Sequence, residues 1–216
     1  MPIHLLSIDL AQLQDFTALS VLRGRGEDDG RRFEVHHLER MERGTSYVEQ
    51  AERIRGVRDQ LPEDATTIVD ATGVGTAVVD MLDALRPVSI WIHGGESVQR
   101  DGRRYRVPKR ELAGSLQRVL SERRLQVHPS LDHATTLKEE MQNFKAKINP
   151  STGHESYAAD WREGDHDDLV LSVAMAVWFG ERLASVQARA ASSRAGRRES
   201  EIIRAQRRDL VRTRNR

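Results

Sequence analysis

The chain has 216 residues, of which 38% are hydrophobic and 31% charged, enough for one medium domain with a buried core. It contains no cysteine, which excludes disulfides and thiolate metal sites, so any metal must be held by oxygen or imidazole ligands. The net charge of +1 is unevenly spread, with +7 over residues 189–216 and −6 over the rest, so an acidic body would need converging cations to meet a polyanion.

The first segment, His4 to Asp9, is an apolar strand that ends in a carboxylate. Phe16–Leu22 and Arg32–Leu38 follow as strands around an Asp28-Asp29-Gly30 turn, and the short connections predict an antiparallel meander. A helix is expected from Tyr47 to Gln60, with Thr45 or Ser46 as N-cap, Glu49 completing a capping box, and Val48, Ala51, Ile54 and Val57 or Leu61 as its apolar stripe. Thr66–Asp70 is a β-branched strand that again ends in aspartate. The turn Thr72-Gly73-Val74-Gly75 leads to a helix over Thr76–Leu85 and then to a strand over Pro87–Ile92.

Residues Glu96 to Pro108 are polar around an Asp101-Gly102 turn and are expected to form a β-hairpin projecting from the core. Helices are predicted at about 109–122 and 131–144, with the short strand Leu125–Val127 between them, and Asn149–Trp161 is irregular. A last helix starts at Asp167 or Asp168 and is apolar nearly all round, so it should be buried. The predicted division is a domain over 1–184 and a basic tail over 185–216, helical or disordered. No apolar run reaches the roughly 20 residues that span a bilayer, and no export leader is visible, so no membrane partner and no secretion are expected. The order of elements predicts an α/β fold with a mixed sheet, three antiparallel strands plus parallel ones, and helices on both faces.

Asp9 and Asp70 each close an apolar strand, and Asp167 and Asp168 open an apolar helix. Strand ends in an open α/β sheet gather along one rim, where sites form. Taken singly, each aspartate also fits a turn or a helix N-terminus. Taken together they form a carboxylate set of the kind that hard cations such as Mg²⁺ or Mn²⁺ require. Two such ions can activate a water and stabilise the leaving oxygen in attack on a phosphodiester.

The strings running from Ile8-Asp9 to Asp15-Phe16-Thr17, Val69-Asp70-Ala71-Thr72-Gly73-Val74-Gly75 and His166-Asp167-Asp168-Leu169 resemble the C-terminal nuclease domain of phage large terminase subunits, over roughly residues 3–180. The resemblance implies a ribonuclease-H-like fold, related to Holliday-junction resolvases, and two-metal cleavage of concatemeric double-stranded DNA during genome packaging in the host cytoplasm. It assigns Asp9, Asp70 and Asp168 as principal metal ligands and catalytic groups, with Asp167 assisting the second ion and Asp15 as a nearby acid. It also places a hairpin beside the active site and a lysine, here Lys109, near the metals.

Arg100, Arg103, Arg104 and Arg106, interleaved with Tyr105, and Lys109 just beyond Pro108 are candidate DNA contacts; a solvated charged hairpin and a surface lysine opening a helix are the alternatives. His166 either supports the acidic pair or caps and packs. The basic tail fits DNA contact, docking on another packaging component, or a solvated end. Partners implied are DNA, the portal protein, the terminase ATPase domain and the small terminase subunit. No GxxxxGK[ST] phosphate loop occurs, so the chain is expected to cut DNA without translocating it by itself. A resolvase, a transposase-like nuclease and a non-catalytic assembly module share the same pattern.

Overall fold

The computed structural model describes residues 2–11, 15–27, 30–73, 76–147 and 167–185. The chain divides into two compact units, residues 1–180 and 181–216, and the fold and the candidate site belong to the first. The basic tail and the irregular segment expected at 149–161 lie outside the described residues.

The meander is formed by β1 (Ile3–Asp9), β2 (Ala18–Glu27) and β3 (Gly30–Arg40), paired antiparallel in sequence order. β2 and β3 run longer than the sequence pattern suggested, because pairing continues through their polar ends as far as Glu27 and Gly30. A bulge sets Val21 opposite His37 but Leu22 opposite Val35, leaving His36 as the extra residue. The slip explains why burial in β3 falls on Phe33, Val35 and then Leu38. It also turns Arg40, rather than Glu39, to the same face as Asp9, since Ala18 pairs with both Asp9 and Arg40.

α1 (Tyr47–Asp59) follows, capped by Ser46 with the full capping box to Glu49. Its buried stripe is Gln50, Ala51, Ile54 and Val57; Val48 points to solvent instead. Gln50 takes the inward place because its amide is satisfied there. Thr17 donates to its Oε1 at 2.9 Å, and its Nε2 donates to the Thr45 carbonyl at 2.8 Å.

β4 (Thr66–Asp70) lies parallel to β1. The helix expected over Thr76–Leu85 is broken into α2 (Thr76–Asp80) and a 3-10 turn at Asp83–Leu85. Pro87 disfavours helical backbone at Arg86, which turns left-handed at φ 48°, and i→i−3 bonds tighten the chain before it.

β5 (Val88–His93) extends the parallel set. The hairpin strands β6 (Gln99–Asp101) and β7 (Arg104–Pro108) do not project from the core: β7 pairs parallel with β5, and β6 becomes the sheet edge. Alternation explains this, since Tyr105 and Val107 are buried while Arg104 and Arg106 face outward.

After β7 come α3 (Lys109–Ser121), β8 (Leu125–Val127) and α4 (Ala134–Lys147). β8 pairs parallel with β3, which completes an eight-stranded sheet in the order β6-β7-β5-β4-β1-β2-β3-β8. The last helix, α5, covers 168–185, and Leu169 to Phe179 are all buried, as its all-round apolar pattern requires. No helix among the described residues is long and apolar enough to cross a membrane.

One sheet face, with Leu6, Ile8, Leu19, Val21 and Val69, packs against Ala51, Ile54 and Val57 of α1 and against Val78 and Leu82. The opposite face receives α5, whose Trp178 and Phe179 meet Tyr105 edge-on at 5.5 and 6.1 Å between ring centroids. A Cβ at Gly180 would lie 2.5 Å from Phe33 Cε1 and 3.3 Å from Leu5 Cδ1, so helix and sheet approach closely there. Gly180→Ala should therefore destabilise the protein by about 1–3 kcal/mol despite alanine's better helix propensity, as read by urea denaturation. Unchanged or increased stability would contradict this packing. The result is the expected α/β architecture, a ribonuclease-H-like mixed sheet with helices on both faces.

Candidate metal centre

The parallel register of β1 and β4 aligns Ile8 with Val69, so Asp9 and Asp70 end side by side at the carboxyl rim, on strands about 4.8 Å apart. Register carries this row across the sheet: Arg40, Ala18, Asp9, Asp70, Ile90, Tyr105 and Arg100 occupy successive strands and share one face. That is the face α5 covers, and Asp168 opens α5 there. Arg40 of the row places Nη2 3.3 Å from Asp168 Oδ2. Residues far apart in the chain thus converge because parallel strands end level and a buried helix begins above them.

The electrostatics report the same convergence. The carboxyl of Asp9, partly buried at the end of β1, is held well above its ordinary range. Burial is the largest cause, followed by the negative charges of Asp70, Asp168, Asp167 and Asp15. Asp9 and Asp70 are the last residues of core strands and Asp167 and Asp168 stand at the start of α5, whereas Asp15 is exposed between β1 and β2. Asp70 is buried and its Oδ1 accepts from the Thr72 backbone N–H at 2.7 Å; Thr72 Oγ1 in turn accepts from Ile92 N–H at 2.7 Å. This pins the turn after β4 to β5.

Two residues here were not expected from sequence. Glu140 of α4 is buried, contacts Arg40 through Oε1, and accepts the Val170 N–H on Oε2 at 2.8 Å. Its pKa is raised to about 7, chiefly by burial and further by Asp168 and Asp167, against the lowering effects of the Val170 N–H and Arg40. Arg40 links Glu140 to Asp168, and its guanidinium lies 4.8 Å from the Phe16 ring centroid. A usable signal for Glu140 existed: it falls between Leu137 and Phe144 at helical spacing, on the buried stripe of α4. Arg40 gave none, because a bulge decides its face.

Lys109 opens α3 immediately after Pro108 and is buried, one residue past the level of His93 at the end of β5. Arg100, Arg103, Arg104 and Arg106 are exposed. Arg100 stacks over Tyr105 at 5.3 Å, in the aspartate row but three strands from Asp70, about 14 Å away. Arg103 is directed back to the Pro87 carbonyl at 3.4 Å. His166 lies outside the described residues.

The carboxylate oxygens of Asp9, Asp70 and Asp168 are donors that suit a hard divalent ion. Among the described residues, no three His, Asp or Glu side chains are gathered closely enough to hold an ion. Asp168 turns to Arg40 and Asp70 to the Thr72 N–H.

No family model and no curated protein matches the chain. Among solved structures, the large terminase nuclease from thermophilic phage G20c is similar over 81% of this chain and 81% of that one, at 22% identity and a TM-score of 0.53. The human cytomegalovirus terminase nuclease domain, Mn soaked and inhibitor bound, aligns over 84% of this chain and 85% of its own, at 15% identity and a TM-score of 0.48. The chain therefore has the ribonuclease-H-like fold seen in the phage G20c large terminase nuclease.

Proposed function

We propose that this chain is a metal-dependent endonuclease of the terminase type, which cuts concatemeric double-stranded DNA during viral genome packaging in the host cytoplasm. The observation that carries the reading is that Asp9 and Asp70 end level at one rim and that the charges of Asp70, Asp168 and Asp167 reach Asp9. A set of mutually repelling carboxylates is costly unless cations neutralise it. Asp9, Asp70 and Asp168 would hold two Mg²⁺ or Mn²⁺ ions, with Asp167 assisting at the second. When bound, such ions supply a deprotonated water and charge stabilisation for the leaving oxygen.

The chain's own residues supply the rest. Lys109, at the rim beside β5, would neutralise the scissile phosphate, and the exposed Arg100, Arg103, Arg104 and Arg106 would follow the DNA backbone. Such contacts position the duplex without selecting a sequence, so cleavage with little sequence preference is expected. Asp15 and His166 would be supporting groups. The portal protein, the ATPase domain and the small terminase subunit are the partners such a nuclease would meet. The likeness in fold to a terminase nuclease supports this reading.

Incubation of the purified chain with supercoiled plasmid and MgCl₂ or MnCl₂ should yield nicked and linear DNA, and EDTA should stop the reaction. Cleavage that survives EDTA would overturn the assignment.

A further inference from the structure

The last residue of β3 sits in an unusual position for a cation. Arg40 Nη2 contacts Glu140 Oε1 and lies 3.3 Å from Asp168 Oδ2; the three side chains are 14%, 5% and 7% exposed, respectively. The two contacts are unequal, with Glu140 much the closer partner. Phe16 lies beneath the guanidinium at 4.8 Å, giving it a surface to rest on that involves neither carboxylate.

Glu140 has a second attachment. Its Oε2 accepts the Val170 N–H at 2.8 Å, in the first turn of α5, where backbone N–H groups have no partner within their own helix. Asp167 and Asp168 lie on or beside that turn. Their placement is thus set by a carboxylate donated from α4 and by an arginine donated from the edge of the meander.

We propose that Arg40 and Glu140 are positioning residues for the metal centre: Glu140 anchors the first turn of α5, and Arg40 is a built-in counter-cation that holds Asp168 until divalent ions take its place. This rests on the metal-dependent reading of Asp168 given above. Arginine suits the task because it stays charged throughout and Nη2, which makes both contacts, carries two N–H bonds, so that one can keep Glu140 while the other releases Asp168. A ligand that must first free its site binds more weakly by the fraction of molecules already free. Removing Arg40 therefore strengthens ion binding, whereas freeing Arg40 from Glu140 gives it wholly to Asp168 and weakens ion binding. The two substitutions act in opposite directions.

The test is calorimetric titration of MnCl₂ alone into the wild-type chain, Arg40→Gln and Glu140→Gln, each first checked for folding by circular dichroism. Glutamine at 140 keeps an acceptor for Val170. Arg40→Gln should bind Mn²⁺ about tenfold more tightly, and Glu140→Gln about tenfold more weakly. If Arg40→Gln does not fold, Arg40→Lys replaces it, with a smaller tightening expected, since a point charge bridges two carboxylates less well. Affinity unmoved by the Arg40 substitution, or shifted in the same direction by both, overturns the proposal while leaving the nuclease reading intact. A wild-type chain that takes up no Mn²⁺ overturns both.

Discussion

Asp70→Asn lowers plasmid cleavage by about a thousandfold or more, and the metal-free variant melts a few degrees higher than the wild type. The loss follows from the role of the carboxylate: an ion that stabilises developing charge contributes several kcal/mol to the barrier, and about 4 kcal/mol is a thousandfold in rate. The gain follows from the same carboxylate in the absence of ions. Asn can still accept the Thr72 N–H that Asp70 accepts at 2.7 Å, so the turn after β4 keeps its anchor while one negative charge leaves the cluster around Asp9. About 1 kcal/mol of relieved repulsion corresponds to roughly 2–4 °C for a chain of this size. Plasmid assays and thermal melts in EDTA check the two halves. An aspartate with only a turn-forming role would give neither, so unchanged cleavage or a lower melting point contradicts the account.

The second large effect concerns pH. Glu140 has a folded pKa of about 7 against an ordinary value of 4.5, and the Asp9 carboxyl is likewise held high. The folded state therefore holds protons that the unfolded chain has already lost. Below pH 4.5 both states are protonated at Glu140 and nothing is lost. From there to about pH 7 the metal-free protein loses stability as pH rises, by about 3 kcal/mol for Glu140, and the loss then levels off. Added Mn²⁺ should flatten the slope, because ions favour the ionised carboxylates. Denaturant melts across that range in EDTA, repeated with MnCl₂, measure it. Stability that rises with pH in EDTA would mean that these acids are stabilised as anions, and the repulsive cluster would be wrong.

Much of the fold was legible because its signals are local. Strands that alternate or run apolar to a terminal aspartate, a capping box at Ser46, and a helix apolar from Leu169 to Phe179 each depend on neighbours along the chain. What escaped depends on pairing across the sheet. The bulge at His36 moves Arg40 to the aspartate face, and no pattern within β3 announces it. The hairpin from Gln99 to Pro108 carries turn chemistry that reads as a separate projection, and only its pairing with β5 makes β7 part of the sheet. Val48 and Gln50 exchanged places for a similar reason: a glutamine is a poor core residue until Thr17 and Thr45 satisfy its amide.

The site divides along the same line. Asp9 and Asp70 could be named from where their strands stop, and Asp168 from where its helix starts. Glu140 and Arg40 could not be joined to them without coordinates, since their contact spans 100 residues of chain. The hairpin arginines were placed beside the metals by resemblance, yet the register sets Arg100 three strands from Asp70.

Anomalous diffraction from crystals soaked in MnCl₂ is the most direct check on the central claim. Peaks are expected about 2.1 Å from oxygens of Asp9, Asp70 and Asp168, with the Arg40 guanidinium drawn away from Asp168. Manganese bound only at other carboxylates, or these three aspartates left without an ion at saturating metal, would contradict it.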